Sequence, residues 1–138
     1  MCSIRLSEII IAWWPRLKSR INYLNSRIED IDLNPDDIAV SVHACGRLTD
    51  TIIETAVKAD ARLAVLPCCH DTKMGDLGGL AGWVDGPLAI DVTRAARLRA
   101  KGYCVFTRTI PEEITPKNRL LMAHPKLVRK PGEDKYEH

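Results

Sequence analysis

The chain has 138 residues, 46% apolar and 28% charged, with eight Gly and eight Pro; this is the composition of one small globular domain, too short for two cores. No apolar run approaches the roughly 20 residues that span a bilayer, and Ile9 to Trp14 is too short, and lacks the small-residue cleavage site, to be a secretion signal. The net charge of +2 hides a split, because residues 94–130 carry ten Lys/Arg against Glu112 and Glu113; such a stretch is either a phosphate-facing surface or a solvated helix face followed by a basic tail.

In chain order, Ser7 to Lys18 reads as an amphipathic helix, with Ile10, Ile11, Trp14 and Leu17 at helical spacing and a kink or early end expected at Pro15. Trp13 and Trp14 read as packing residues. Arg20 to Asn25 alternates like a short strand, and Asn34-Pro35-Asp36-Asp37 is a turn. Ile38 to His43 is a strand apolar on both faces, as in the middle of a parallel sheet. A helix follows, capped at Thr51 or Asp50 and ending near Ala59. Arg62 to Pro67 is a second buried strand, and a loop with Gly75, Gly78, Gly79 and Gly82 follows it, Trp83 again reading as packing. Pro87 opens the next helix and Gly102 closes it; within it Asp91 and Arg94 read as a surface pair at i, i+3. Tyr103 to Thr109 and Arg119 to Ala123 are the last strands. The domain thus covers residues 1–125, with a charged tail over 126–138 expected to be disordered. Its middle is two strand–helix units, which form parallel strands with right-handed crossovers and place ligands beyond the strands' carboxyl ends.

Two clusters sit at those ends. V-H-A-C-G brings His43, Cys45 and Gly46 to the end of one strand, and L-P-C-C-H-D brings Cys68, Cys69 and His70 to the end of the next. Alternation puts His43 and Cys45 on one face, and neighbouring strands lie about 5 Å apart, so three thiols and two imidazoles converge in one crevice. Three readings compete. Thiolate and imidazole suit zinc, with ligands drawn from His43, Cys45, Cys68, Cys69 and His70, although the spacing lacks a C-x-x-C and adjacent cysteines need a bend to chelate together. A cysteine activated by His43 or His70 suits nucleophilic attack on a pyrimidine ring, although no Pro-Cys pair follows the first strand. In the third reading the cysteines are small hydrophobes forming part of a cofactor wall, and the site holds no metal. Five cysteines, an odd count with one adjacent pair, argue against a disulfide scaffold and for a reducing cytoplasm.

The segments H-A-C-G-R-L-T-D (His43 to Asp50) and L-P-C-C-H-D (Leu66 to Asp71), with A-I-D-V-T-R-A-A-R-L-R-A-K-G-Y (Ala89 to Tyr103) and I-T-P-K-N-R-L-L (Ile114 to Leu121), resemble a family of class I S-adenosylmethionine-dependent methyltransferase domains. That family takes in bacterial proteins and the C-terminal part of glutathione S-transferase C-terminal domain-containing proteins, with a more distant likeness to tRNA 2′-O-methyltransferases. The resemblance covers about residues 8 to 125. It implies a Rossmann-like α/β sheet of order 3-2-1-4-5-7-6, mostly parallel with an antiparallel C-terminal strand. Arg20 to Asn25 would be strand 3, Ile38 to His43 strand 4 and Arg62 to Pro67 strand 5; the last two strands would be 6 and 7.

Carried over residue by residue, the resemblance implies catalytic positions at His43, Cys45, Asp50, Cys68 and His70. It implies S-adenosylmethionine contacts at Ser26, Arg27, His43 and Ala44, with Ser26 standing where the family often has an acid. The first glycine is Gly46, so the glycine-rich donor-binding loop and the first two strands are missing from the pattern, as in an N-terminally truncated domain. The expectations that follow are poor donor binding by this chain alone and an exposed edge on the strand at Ile38 to His43. A homodimer or another partner would cover that edge. The implied acceptor is tRNA or another RNA, met by Arg94, Arg97, Arg99 and Arg108 and by the basic turn of Lys117, Asn118 and Arg119. The alternative function is a non-catalytic module that binds zinc or another ligand in the His/Cys crevice, and no membrane contact is expected.

Overall fold

A computed structural model describes residues 6–126; Cys2 and nearly all of the expected tail lie outside the described residues. The apolar helix α1, Leu6–Trp13, ends two residues before Pro15, and the proline opens a separate 3-10 turn over Pro15–Leu17. A ring nitrogen without a hydrogen suits a first turn and not a helix interior, so the expected kink is a termination. Trp13 and Trp14 are exposed, contrary to the packing expected of them: the helix closes before its apolar side reaches the sheet.

Residues 21–25 form no strand, which corrects the expectation for Arg20 to Asn25. Tyr23 and Leu24 are adjacent and both exposed, so this segment buries neither of two alternating faces. A strand also needs a neighbour for its amides, and no strand pairs with this segment. The chain instead reaches a 3-10 turn at Ile28–Asp30, where Ile28 and then Leu33 pack against the core.

The sheet has four strands: β1 (Ile38–Val42), β2 (Arg62–Leu66), β3 (Tyr103–Thr109) and β4 (Arg119–Pro125). Their order is β1-β2-β4-β3. β1 and β2 are parallel from Ile38↔Arg62 to Val42↔Leu66, and β4 runs antiparallel to β2 on one side and β3 on the other. Three strands therefore point one way and the C-terminal β4 the other, which makes the sheet partly parallel, with one parallel pairing among its three.

Helices α2 (Arg47–Lys58) and α3 (Gly86–Ala100) cover one sheet face. Ile52, Ile53 and Ala56 of α2 and Leu98 of α3 meet Leu63, Val65, Tyr103, Leu121 and Ala123 in the buried core. The Tyr103 hydroxyl donates to the carbonyls of Ala56 and Ala61 at 3.4 and 3.2 Å, pinning the end of α2 to the starts of β2 and β3. On the opposite face Ile38, Val40, Val42 and Phe106 are exposed, and β1 is an edge strand among the described residues. No helix among the described residues is long and apolar enough to cross a membrane.

This packing predicts different costs for two substitutions. Leu98→Ala removes a fully buried side chain and is expected to cost about 2–5 kcal/mol, whereas Tyr103→Phe loses one neutral hydroxyl and about 1 kcal/mol. Urea unfolding followed by circular dichroism measures both; equal losses would show that the hydroxyl, rather than the packing, holds α2 in place.

Candidate functional site

Because β4 is reversed, one rim of the sheet collects the carboxyl ends of β1, β2 and β3 and the amino end of β4. In the register, Thr109 faces Arg119 and Leu121 faces Val65. The segments 43–46 and 68–71, the first turns of α2 and α3 and the loop 110–118 all leave from this rim. The family-like motifs at the ends of β1 and β2 are therefore neighbours, as the topology of two strand–helix units requires.

The backbone turns sharply at the end of β1. His43 has φ +59, so the extended alternation that would align His43 with Cys45 stops one residue early. Ladder bonding nevertheless continues between the two loops: His43 N–H donates to the Leu66 carbonyl at 3.0 Å and Gly46 N–H to the Cys69 carbonyl at 2.9 Å. Ala44 is buried, and its carbonyl accepts the Thr49 hydroxyl at 2.8 Å. Gly46, at φ 54 and ψ −126, leads straight into α2, a conformation that favours glycine. The helix thus starts four residues before Thr51, and the expected cap at Thr51 or Asp50 is not used; Asp50 is left free to reach another partner.

The three thiols meet. Cys45 Sγ lies 3.3 Å from Cys68 Sγ, and Cys68 Sγ lies 3.5 Å from Cys69 Sγ. Cys45 and Cys69 are exposed, and Cys68 is buried between them. Hydrogen bonding with Cys68, then with Cys69, pushes the Cys45 thiol up to about 12. The Cys45 bond holds Cys68 below the ordinary thiol value; burial opposes this, and Cys69 and the adjacent His43 side chain assist. Thiolate character therefore gathers on Cys68, and Cys45 is a poor nucleophile as it stands.

The second imidazole points elsewhere. His70 Nε2 lies 2.8 Å from Asp91 Oδ1, its side chain only 4% exposed and that of Asp91 12%. Asp91 also accepts from Arg94 Nη1 at 3.2 Å and Arg119 Nε at 2.8 Å. Arg94, 5% exposed, reaches Asp50 through Nε at 2.7 Å and Nη2 at 2.8 Å, and its Nη2 lies 3.4 Å from the Gly46 carbonyl. Burial, the largest influence on Arg94, disfavours its charge, but the carboxylates of Asp50 and Asp91 outweigh it and hold the guanidinium more firmly protonated than usual. The expectation of a surface pair for Asp91 and Arg94 is thereby corrected. The signal was available in the sequence: Arg94 sits at four-residue spacing between Ile90 and Leu98, both buried, and so lies on the core stripe of α3.

The glycine-rich loop lies against α3. A Cβ on Gly75 would come within 2.6 Å of both the Asp71 carbonyl and Ile90 Cδ1, and one on Gly78 would strike the Thr93 hydroxyl; these glycines permit close approach. Asp71 closes the loop by accepting from the amides of Lys73 and Met74 at 3.0 and 3.1 Å. Trp83 is 87% exposed, contrary to the packing expected of it, because the loop rests on α3 through its glycines. Between loop and helices is a cavity of about 400 Å³ lined by Gly46, Arg47, Asp50, Asp71, Thr93 and Arg94. A second, of about 280 Å³, is lined by His70, Asp85, Lys117, Asn118 and Arg119.

Of the remaining expected site residues, Ser26 and Arg27 are exposed on the approach to the turn at Ile28–Asp30, apart in the chain from His43 and Ala44. Among the basic residues, Arg94 is buried and fully engaged, which removes it from any phosphate-facing set. Arg97 is exposed and paired with Asp76, and Arg99 sits in the last turn of α3, at the opposite end of the sheet. Arg108, Lys117, Asn118 and Arg119 lie on or beside the rim.

Residues 11–74 match the family model of a methyltransferase domain. The match begins in α1, spans β1, α2 and β2, and takes in both strand-end clusters; it supports a methyltransferase-like family. The mixed α/β arrangement, with one partly parallel four-stranded sheet, is consistent with such a domain. No curated protein and no solved structure matches the chain.

The ion network yields a direct prediction. Arg94→Met removes the guanidinium that bridges Asp50 and Asp91, while Asp91 keeps Arg119. It is expected to cost about 3 kcal/mol, the low end for a broken buried pair because Asp50 is partly open to water. The double variant Arg94→Met/Asp50→Leu should recover more than half of that loss in the same urea titration; no recovery would mean that the Arg94 stem, not its charge, supplies the stability.

Proposed function

We propose that this chain forms part of an S-adenosylmethionine-dependent methyltransferase domain that acts on RNA, with the rim at the ends of β1, β2 and β4 as its working surface. The observation that carries the reading is the methyltransferase-domain match over residues 11–74, because it contains both His43–Asp50 and Leu66–Asp71. The sheet adds support: the order β1-β2-β4-β3 with β4 reversed is the order 4-5-7-6, with strand 7 reversed, that the resemblance implies.

The residues fit the methyl donor only in part. His43 and Ala44 stand at the end of β1, where a donor lying across the strand ends would pass. Ser26 and Arg27 are on a separate exposed segment, and neither cavity described above is lined by any of the four. In this reading His43 and Ala44 contact the donor, Cys68 forms the wall beneath it, and Asp50 and His70 act as positioning residues, since their polar atoms are committed to Arg94 and Asp91. The donor supplies the methyl group; the chain's own part is to shape the acceptor side of the crevice and to exclude water there.

The RNA part of the proposal rests on the basic residues near the rim. Arg108 and Lys117 are exposed near the rim, and Lys117 lines the cavity that Asn118 and Arg119 also border. An RNA backbone drawn across this side would release counterions, and its binding would weaken steeply with salt.

Two measurements test the reading. Titration calorimetry of the chain with S-adenosylmethionine is expected to give a dissociation constant weaker than about 100 μM, with amide shifts on donor addition concentrated at residues 43–46. Low-micromolar affinity would overturn the partial fit, and shifts confined to another part of the sheet would overturn the placement. Gel-shift titrations with tRNA should show affinity falling with salt, the logarithmic slope decreasing by about 1 in each of Arg108→Ala and Lys117→Ala; binding insensitive to salt would remove RNA as the acceptor.

A further inference from the structure

We propose that Cys45, Cys68 and Cys69, with His43 as the fourth ligand, form a tetrahedral zinc site that joins the carboxyl ends of β1 and β2. The site shares His43 and Cys68 with the donor crevice proposed above, and metal analysis tests it without any methyl-transfer readout.

The geometry argues for a metal over the alternatives. The three Sγ atoms all lie within 4.8 Å of one another, with neighbouring separations of 3.3 and 3.5 Å. Tetrahedral zinc with Zn–S bonds of about 2.3 Å sets its sulfur atoms about 3.8 Å apart, so the cluster needs only a few tenths of an ångström of expansion. A disulfide would need one pair to close to about 2.05 Å, a much larger movement, and would leave the third thiol without a partner. Three thiols in mutual contact are otherwise a poor arrangement, since each can only donate weakly to the next. A cation that displaces their protons makes all of them ligands.

The chain also meets the one objection its spacing raises. Adjacent cysteines on an extended strand point to opposite faces, but β2 ends at Leu66 and the segment beyond it is no longer strand. The Gly46 N–H to Cys69 carbonyl bond at 2.9 Å holds this segment beside the turn carrying Cys45, and both Sγ atoms of the pair then face the same point. The His43 imidazole, exposed at the left-handed turn after β1, lies outside the 4.8 Å set formed by the three thiols, and it takes the fourth position by a change of side-chain rotamer. His70, a candidate ligand by sequence, is taken up by Asp91 at 2.8 Å and is left out of the set. Three thiolates and one imidazole select zinc among the common divalent ions, since oxygen-preferring magnesium and calcium gain nothing from sulfur. Cys45 and Cys69 are exposed, which leaves an entry path. With four protein ligands the centre is closed, as structural zinc sites are.

The test is metal analysis of the full chain, purified under reducing, anaerobic conditions, paired with cobalt(II) substitution. About one zinc per chain is expected, with cobalt(II) giving the intense visible bands of a tetrahedral thiolate centre. Cys45→Ser, Cys68→Ser and Cys69→Ser should each lose the metal, and His43→Ala should weaken it at least tenfold, while Cys104→Ser on β3 retains it. Circular dichroism on every variant separates loss of a ligand from loss of fold: a variant that is folded and metal-free supports the site. A folded, fully reduced wild-type chain that takes up neither zinc nor cobalt(II) overturns the proposal, as does a Cys45–Cys68 disulfide that forms in preference to metal uptake, or equal metal loss in Cys104→Ser.

Discussion

Arg94 is a guanidinium placed on the core stripe of a helix, nearly closed to water, between two carboxylates that come from different parts of the chain. An unpaired charge there would cost several kcal/mol; Asp91, three residues away on the same helix, comes with it, so the constraint on packing is that α2 must bring Asp50 to the guanidinium. The same cation reaches toward the Gly46 carbonyl, and Asp91 extends the network to His70 and Arg119. One buried ion pair therefore sets the relative positions of the turn after β1, the segment after β2 and the start of β4, the three pieces of backbone that surround the crevice. Such a pair adds little net stability compared with a well-packed apolar replacement. Its effect here is on which arrangement is allowed.

The strands and helices that could be read from the sequence are those whose local pattern agrees with their neighbours. Ile38–Val42 and Arg62–Leu66 are short apolar runs in β-branched residues, flanked by turns, and they pair as parallel strands should. The helix between Pro87 and Gly102 shows its ends in its own residues, with Asp85 accepting from Leu88 N–H at its start. Ile21 to Asn25 shows the limit of this reasoning, because alternation over so few residues describes a strand only when a neighbouring strand exists to pair with it. The start of α2 escaped for a related reason: Thr51 and Glu54 have the composition of a cap, but Gly46 turns the chain into the helix earlier, and Asp50 is drawn to a partner on α3 that no local rule names.

In the candidate site, the meeting of the two motifs followed from topology, since consecutive parallel strands must end side by side. What each side chain does there did not follow. Alternation aligns His43 with Cys45 but ends at Val42, and His70, a neighbour of the thiols in sequence, is held by a carboxylate from the next helix. Both outcomes depend on dihedral angles just past a strand end, where periodicity carries no information. Arg94 carries a signal that the surface-pair reading passes over: its spacing from Ile90 and Leu98 marks it as buried, and a buried arginine calls for an acidic partner.

The place of β4 bears on how the chain reaches this state. It is the last strand among the described residues and yet lies inside the sheet, bonded to β2 on one side and β3 on the other. When a ribosome has released everything up to Thr109, β2 and β3 still have no edge in common, and Leu121 and Ala123 are not yet there to fill the centre of the core. Closure then comes late and in one step, as the final strand slides between two that have been held apart, with the long loop closures that slow folding completed before any reward from that pairing. Until then the core stands open along its middle, and the nascent chain exposes the apolar residues that β4 will cover.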